Sequence, residues 1–417
     1  MVKFKDFIDT TFREGQQSPL LYDARKYYFT LEEKKELLRG LVNLGISYFE
    51  FFSPNVNLRE KKHFFQIKKY LRSISKRKIF LLSHCRCKQE DIEASIKAGF
   101  DGLNIYMRVT ERGEKIYRKS KKEILHTIVD TITTIRRKYP RIYLRFSIED
   151  AFRTPLNEIF EVYDQIYPLV NTFGVPDTTG IATPSDVERL IRKLKKRYPK
   201  VNLEVHFHND RGLALINTMV AIQNGAEFAD VSIWGIGERS GIASLTGMLL
   251  NLFYLDKNLV KKYNIKLCYP VNVLMGAILK TQVPYNEPVS LTNRTHIAGV
   301  HQNAILKEKS NYETHSLEEF GVTKNQLLLG PLSGWHFVYY YLKEVKNYLI
   351  SEEEAKEITK EFKNKIQRSK ENLDDLLEKI AEKHSLEKIS IPKEFAKKRV
   401  EKLNGTNHIG KVGVIKR

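Results

Sequence analysis

The chain has 417 residues, of which 42% are hydrophobic and 11% aromatic, and it carries a formal net charge of +20 at pH 7. This composition excludes a disordered chain, and no apolar run approaches the ~20 residues that a membrane-spanning helix needs. Three cysteines are too few for a disulfide framework, and the first residues lack the apolar segment of a secretion signal, so we expect a cytoplasmic protein.

The net charge raises the alternative of a nucleic-acid-binding protein, because 70 Lys and Arg oppose 50 Asp and Glu. Much of this charge lies on predicted helix faces and in tails, such as "RKLKKRYPK" (192–200), and is not interleaved with the aromatic residues that stack on bases. We therefore expect neither a nucleic-acid nor a membrane partner, and a basic nucleic-acid-binding barrel is the less favoured alternative.

In chain order, the first 270 residues alternate short apolar strands with amphipathic helices. Thr30 and Glu33 form a capping-box pattern, a leucine stripe follows, and Gly45 marks the helix end. Strands are predicted to start near Phe7, Tyr48, Ile79, Gly102, Tyr143, Thr172, Leu203 and Asp230. Eight such units over roughly 250 residues predict an α/β fold, a (β/α)8 TIM barrel followed by a mostly helical C-terminal region.

Doubly wound sheets share this alternation, but the polar residues favour a barrel because they follow the carboxyl ends of the strands, where barrels carry active sites. We predict a catalytic barrel over 1–270, a linker subdomain over 271–325, a helical subdomain over 326–390 and a basic, poorly ordered tail over 391–417.

The stretch "EVHFHND" (204–210) predicts a metal site. His206 and His208 are two residues apart on a strand, so their side chains point to the same face. Glu14, after the first strand, is the candidate third ligand. Two imidazoles, one carboxylate and open positions are typical of a Lewis-acid site and not of a closed structural zinc site.

Four motifs occur in one order: "DTTFREGQQ" (9–17), "HFHND" (206–210), "GIGERSG" (235–241) and "THIAGVH" (295–301). Together they resemble the metal-dependent TIM-barrel Claisen-condensation enzymes, a family that includes isopropylmalate and homocitrate synthases and, more distantly, hydroxymethylglutaryl-CoA lyase. The resemblance implies a condensation of acetyl-CoA with a 2-oxo acid. It also implies one divalent metal ion, zinc, magnesium or manganese, held by Glu14, His206 and His208.

The same resemblance assigns further roles by position. Arg13 would stabilise the developing oxyanion while Glu14 binds the metal. The two side chains are therefore expected to face different partners and not to form a salt bridge with each other. The acid and base work would fall to Glu149, His301 and Tyr312, and the last two imply a homodimer whose C-terminal region covers the partner's barrel. The glycine loop implied to face acetyl-CoA comprises Gly235, Gly237, Glu238, Arg239 and Gly241.

The acceptor is predicted to be 2-oxoglutarate, with homocitrate as product and a place in lysine biosynthesis. His84, Arg145 and Ser147 resemble the groups that hold its distal carboxylate in homocitrate synthases, and an alkyl group would leave a buried arginine unpaired. Thr178 would contact the C1 end that all 2-oxo acids share. Asn104 stands where the family usually has Asp, and "YMRVTERG" (106–113) replaces its Gly-Thr-Ser, so lysine inhibition is in doubt.

Other members of the family stay open as alternatives: an isopropylmalate synthase, or a Re-type citrate synthase that uses oxaloacetate. A lyase of the hydroxymethylglutaryl-CoA type is expected to carry a cysteine in its glycine loop, and "GIGERSG" has none. A biotin carboxyltransferase needs a metal-site lysine that "VPDTTGIA" (175–182) does not offer.

Overall fold

Eight parallel strands close into a barrel in sequence order, with the last strand paired to the first, so the predicted TIM barrel is confirmed. The structure is a computed structural model that describes residues 3–313, 315, 317–367 and 370–388. The strands are β1 Asp6–Asp9, β2 Tyr48–Phe52, β3 Phe80–Arg86, β4 Gly102–Met107, β5 Tyr143–Ile148, β6 Thr172–Asp177, β7 Asn202–Phe207 and β8 Phe228–Val231.

The helices that accompany the barrel are α1 Pro19–Asp23, α2 Leu31–Leu44, α3 Leu58–Ile74, α4 Gln89–Ala98, α5 Glu111–Tyr117, α6 Lys121–Lys138, α7 Leu156–Ile166, α8 Pro184–Arg197, α9 Ala214–Gln223, α10 Leu245–Leu255 and α11 Cys268–Leu279. Helices α1 to α9 lie between consecutive strands, as the right-handed β-α-β connection requires, and α10 and α11 follow β8.

Helix α2 shows how the local sequence sets these bounds. The Thr30 hydroxyl accepts a hydrogen bond from the Glu33 amide, and the Glu33 carboxylate accepts one from the Thr30 amide at 2.8 Å, which completes the predicted capping box. The helix ends at Gly45, whose φ of 123° favours glycine. A Cβ at Gly45 would also lie 3.0 Å from the Tyr263 Cα atom, so the turn needs glycine for space as well.

The first structural unit extends to Val289, beyond the predicted boundary at residue 270. Helix α11 packs against α2 and belongs to the barrel unit. Its buried Asn272 donates hydrogen bonds to the Thr246 hydroxyl at 2.9 Å and to the Val289 carbonyl at 3.0 Å. These buried bonds fix residues 271–289 to the barrel, whereas the sequence places the start of a linker subdomain at 271.

The second unit runs from Ser290 and contains α12 Gly299–Lys307, α13 Trp335–Tyr340, α14 Glu352–Ile366, α15 Leu373–Lys383 and the short strands β9 Thr295–His296 and β10 Gln326–Leu327. One hydrophobic cluster joins its parts, and its members include Ile305, Leu327, Phe337, Phe362 and Leu377. This cluster contains residues on both sides of 326, where the sequence places a division into two subdomains. The predicted basic tail over 391–417 lies outside the described residues.

Within the residues that the structure describes, no helix is long and apolar enough to cross a membrane. Cys85 and Cys268 are buried, Cys87 is partly buried, and all three are free thiols.

Candidate active site

The carboxyl ends of the barrel strands surround a cavity of about 590 Å³. A TIM barrel delivers the loops after its strands to this face, where such enzymes carry their active sites. Ten of the predicted site residues line the cavity: Arg13, Glu14, His84, Ser147, Glu149, Thr178, His206, His208, Glu238 and Arg239. The fold therefore brings together, at one face, residues that lie more than 200 positions apart in the sequence.

Glu14, His206 and His208 form a compact group whose candidate ligand atoms all lie within 4.8 Å of one another. The Nε2 atoms of the two histidines are 3.3 Å apart, and each lies 4.0 Å from a carboxylate oxygen of Glu14. His206 Nδ1 lies 3.0 Å from the Asp230 carboxylate, which orients the ring so that Nε2 faces the group. This donor set fits a divalent ion bound by two imidazoles and one carboxylate.

The protonation states of this group also suit a metal. Burial alone would raise the pKa of Glu14, but the charges of Arg13, His206 and His208 outweigh it and lower that pKa to about 2. Burial, reinforced by the neighbouring His206, lowers the pKa of His208 to about 4. At neutral pH Glu14 is thus an anion and His208 a neutral imidazole, the forms in which these side chains bind metals.

Arg13 and Glu14 are in direct contact, which differs from the expected division of the pair between metal and substrate. The Arg13 Nη1 atom donates to Glu14 Oε2, and Arg13 Nε donates to Glu50 Oε1 at 2.9 Å. Both members of the pair still line the cavity. The carboxylates of Glu14, after β1, and Glu50, in β2, therefore fix the Arg13 guanidinium beside the proposed metal ligands.

Glu50, on β2, is fully buried and lies at the centre of an ionic network. It contacts the guanidinium groups of Arg13 and Arg145, and its Oε1 atom is 3.4 Å from His84 Nδ1. Burial alone would raise the pKa of Glu50, but Arg145 and Arg13 hold it well below its usual range. Four carboxyl groups surround the two guanidiniums: Glu14, Glu50, Glu204 and Asp230.

Arg145 lies beneath the floor of the site: it is only 1% exposed and is not among the described residues that line the cavity. Its Nε atom is 2.6 Å from Glu204 Oε2, its Nη2 atom contacts Glu50, and its Nη1 atom is 3.9 Å from Asp230. The sequence predicts instead that this guanidinium meets the distal carboxylate of the substrate. The difference arises because three acidic side chains, from β2, β7 and β8, already surround it across the barrel, a pairing that no local pattern reveals.

His84, Asn104 and Ser147 form a polar group at the ends of three adjacent strands. The Ser147 hydroxyl donates to Asn104 Oδ1 at 2.9 Å, and Asn104 Nδ2 donates to Glu50 at 3.1 Å and lies 3.2 Å from His84 Nδ1. Burial, followed by the charge of Arg13, lowers the pKa of His84, which favours the neutral imidazole. A Cβ at Gly174 would lie 1.8 Å from Ser147 Oγ, so this glycine provides the space that the serine occupies.

Glu149 and Thr178 occupy neighbouring positions after β5 and β6. Glu149 lines the cavity, and its Oε1 atom accepts a hydrogen bond of 2.6 Å from Arg108 Nη2. The Thr178 hydroxyl accepts one of 2.9 Å from the amide of Asp150, the residue after Glu149. Thr178 is thereby tied to the segment that carries the predicted base.

The glycine loop after β8 folds directly over Glu14. The Glu238 amide donates to Glu14 Oε1 at 2.9 Å, and a Cβ at Gly237 would lie 2.9 Å from Glu14 Cγ. Gly241, with φ of 80°, leaves no room for a Cβ, which would lie 2.0 Å from the Gly235 carbonyl oxygen. Arg239 binds Asp210 through two hydrogen bonds of 2.6 and 2.9 Å. The small residues of this loop therefore also hold a predicted metal ligand in place.

His301 and Tyr312 lie in the second unit, and the structure brings them together. Their rings stack with centroids 3.9 Å apart, and His296 is a further neighbour at 6.3 Å from His301. His301 is on α12, whereas Tyr312 follows that helix after a short turn. Their predicted spacing thus corresponds to a real ring contact within this unit.

Sequence reasoning missed Glu50, Asp230 and Arg108 as site residues. Glu50 is the acid in "YFEFF", and Asp230 is the acid in "FADV", each within an otherwise apolar buried strand. An ionisable residue in such a strand must find a partner, because an unpaired buried charge is costly. Isolated acids in core strands were the signal that could have identified the first two.

The network around Glu50 generates a stability prediction. Glu50→Gln removes the charge that pairs two buried guanidiniums, so we expect a loss of about 3–5 kcal/mol in the free energy of unfolding at pH 7. Because folding lowers the pKa of Glu50, its contribution is present above its unfolded pKa of about 4.3 and is lost as pH falls through the folded pKa. The difference between the two proteins should be constant over about pH 5–7 and shrink below about pH 4.

Urea unfolding at several pH values measures this difference. Glu36→Gln, on the exposed face of α2, is the matched control and should change stability by less than about 0.5 kcal/mol. A Glu50→Gln protein as stable as the wild type would contradict the central role of the network.

Comparison with known proteins agrees with this geometry. The HMGL-like family matches residues 5–270, and a homocitrate synthase post-HMGL domain-like family matches residues 289–370. Among solved structures, an HMG-CoA lyase from Bacillus subtilis has 19% sequence identity and a TM-score of 0.56, covering 68% of this chain and 96% of the lyase chain. That similarity concerns the fold.

Curated relatives match nearly the whole chain. The cytosolic homocitrate synthase isozyme of Saccharomyces cerevisiae is 30% identical over 95% of this chain and 89% of its own length. The mitochondrial homocitrate synthase of Schizosaccharomyces pombe is 31% identical over 85% and 82%, and a 2-isopropylmalate synthase of Bacillus pumilus is 30% identical over 91% and 74%. The chain therefore belongs to the HMGL-like family of acetyl-CoA-dependent condensing enzymes, within its homocitrate synthase branch.

Proposed function

We propose that this protein condenses acetyl-CoA with 2-oxoglutarate to give homocitrate and CoA, a step of lysine biosynthesis. The observation that carries the choice of acceptor is the polar group of His84, Asn104 and Ser147 on the cavity wall, at the ends of β3, β4 and β5. The proposed metal ligands come from the opposite part of the barrel, after β1 and on β7. A 2-oxo acid with a carboxylate at each end would find a polar partner at both.

Glu14, His206 and His208 would hold one divalent ion, zinc, magnesium or manganese. When bound, such an ion polarises the carbonyl and C1 carboxylate of the acceptor as a Lewis acid. The excess of carboxyl groups around Arg13 and Arg145 also favours a bound cation at this position.

The side chains of the protein supply the remaining chemistry. Glu149 accepts a proton from the acetyl methyl group, and the resulting enolate carbon bonds to the carbonyl carbon of the acceptor. The carbonyl π bond breaks as this bond forms, and the oxygen takes up a proton to give the hydroxyl group of the product. Arg13 faces the oxygen on which negative charge develops, and Thr178 orients the C1 carboxylate. Water then hydrolyses the thioester and releases CoA, with His301 and Tyr312 moving protons at the acetyl group.

Two further features belong to this proposal. The loop of Gly235, Gly237, Glu238, Arg239 and Gly241 would bound the acetyl-CoA site. The stacked His301 and Tyr312 would act in a homodimer, where the C-terminal region of one subunit covers the barrel of its partner. The free thiols support a reducing compartment, and we place the enzyme in the cytoplasm.

The acceptor is tested by release of free thiol from acetyl-CoA with a panel of 2-oxo acids. We expect 2-oxoglutarate to give the highest kcat/KM, with oxaloacetate second and 2-oxoisovalerate far behind, because a branched alkyl group leaves the polar group unpaired. His84→Leu should lower kcat/KM for 2-oxoglutarate by about 10–100-fold, the worth of one hydrogen bond to a charged group.

His84→Gln, which retains a polar side chain, is the matched variant and should lose less. Arg145→Leu is unsuited to this test, because it would leave Glu50, Glu204 and Asp230 without their shared cation. A wild-type preference for 2-oxoisovalerate would identify an isopropylmalate synthase, a preference for oxaloacetate a citrate synthase, and salt-sensitive DNA binding without turnover a nucleic-acid-binding barrel.

The metal assignment predicts that chelation abolishes turnover and that added zinc, magnesium or manganese restores part of it. In calorimetric titrations with zinc, His208→Ala should weaken binding by more than ~100-fold, since even residues behind the ligands affect affinity by 10–100-fold. His126→Ala, at an exposed position of α6, should bind as the wild type does. Full activity of the metal-free protein would refute the assignment.

The homodimer is tested by complementation between two inactive variants. His206→Ala damages the metal site of the barrel, whereas His301→Ala damages the second unit. If each active site combines both units from different subunits, then mixed dimers should regain activity well above either parent. Subunit exchange is verified by mass spectrometry of differently tagged chains, and exchange without recovered activity would contradict the swapped arrangement.

A further inference from the structure

Arg108 is a partly buried cation beside Glu149 that the proposed chemistry leaves without a role. It directly follows β4, and its side chain is only 12% exposed. The Nη2 atom lies 2.6 Å from Glu149 Oε1, and the Nη1 atom lies 3.8 Å from Asp150 Oδ2. A guanidinium this close to a carboxylate forms a charge-assisted hydrogen bond, among the stronger contacts a side chain can make.

The backbone on both sides of this contact is fixed. The Arg108 amide donates to the Tyr117 hydroxyl at 3.2 Å, and helix α5 approaches so closely that a Cβ at Gly113 would lie 2.4 Å from the Arg108 carbonyl oxygen. On the other strand, the Glu149 amide donates to the Met107 carbonyl at 3.1 Å. Asp150 follows in a left-handed conformation with φ of 67°. Neither residue can shift far without disturbing its strand end.

The contact occupies one carboxylate oxygen and leaves the other available. Within the described residues, the side chain of Glu149 is hydrogen-bonded through Oε1 to Arg108, and Oε2 has no such partner. Glu149 lines the cavity, whereas Arg108 stands behind it. The Nε atom of Arg108 is buried without a hydrogen-bond partner, a feature that a purely stabilising ion pair would be expected to satisfy.

We propose that Arg108 is the positioning residue for Glu149, holding Oε1 so that Oε2 points at the carbon acid. The inference rests on the proposed function, since it assumes that Glu149 is the base. Proton transfer depends steeply on distance and angle, so a carboxylate pinned through one oxygen reaches the methyl proton in a single orientation. Arg108 itself touches neither substrate.

A double-mutant cycle tests the proposal with acetyl-CoA and 2-oxoglutarate. Glu149→Gln should lower kcat by about 10²–10⁴-fold, the usual range for general acid–base catalysis. Arg108→Met should lower kcat by about 10–100-fold, because a small displacement of a reacting group costs that much, and should leave KM for 2-oxoglutarate within about 3-fold. Arg108→Lys, which retains a cation, should recover part of the loss.

The decisive measurement is Arg108→Met in the Glu149→Gln background. If Arg108 acts through Glu149, then the double variant should have the same kcat as Glu149→Gln alone. Arg153→Met is the matched control, because Arg153 Nη2 pairs with Asp150 Oδ2 at 2.6 Å in the same segment and its loss should leave kcat within about 2-fold. Thermal unfolding of each variant verifies the fold.

Three other kinetic results would contradict the proposal, and each would indicate a different reason. Losses that add in the double variant, or an equal loss in Arg153→Met, would show a general structural effect. Wild-type kcat in Arg108→Met together with a large loss in Glu149→Gln would show that Glu149 needs no positioning. Wild-type kcat in Glu149→Gln would refute its role as base while leaving the choice of acceptor standing.

Discussion

The site depends on one constraint, the pairing of buried guanidiniums with Glu50. Two arginines in the barrel interior would be prohibitively costly alone, and Glu50 contacts both. It orders Arg13 beside the proposed metal ligands and also pairs with Arg145. Through Asn104 and His84 it reaches the region that would contact the acceptor. A single carboxylate on β2 thus links the two halves of the cavity.

Space is the second constraint. Ser147 fits only because Gly174 lacks a Cβ. Glu14 fits beneath the glycine loop only because Gly237 also lacks a Cβ. Glycine in these positions costs conformational entropy but lets the backbone approach a functional side chain. The glycines that resemble a cofactor-binding motif thereby also hold Glu14, so one loop would link the proposed metal site to the edge of the proposed acetyl-CoA site.

The candidate catalytic residues are distributed over two structural units, each with its own hydrophobic core. The barrel unit contains the metal group, the ionic network and Glu149, whereas His301 and Tyr312 are stacked within the second unit. A second unit with its own hydrophobic cluster can present these residues without altering the barrel. Bringing both sets of groups to one substrate is what the proposed homodimer would accomplish.

The sequence alone determined the barrel and the placement of its strands, because helix caps, glycine stops and apolar periodicity are local and survive without tertiary contacts. It also determined that His206 and His208 lie close together, since a strand places them on one face. Only the tertiary structure decided that Arg13 pairs with Glu14, that Arg145 lies under the floor and that Arg108 stands behind Glu149. These contacts join strands distant in sequence, and the partner of a buried charge is set by barrel closure, which no local pattern encodes.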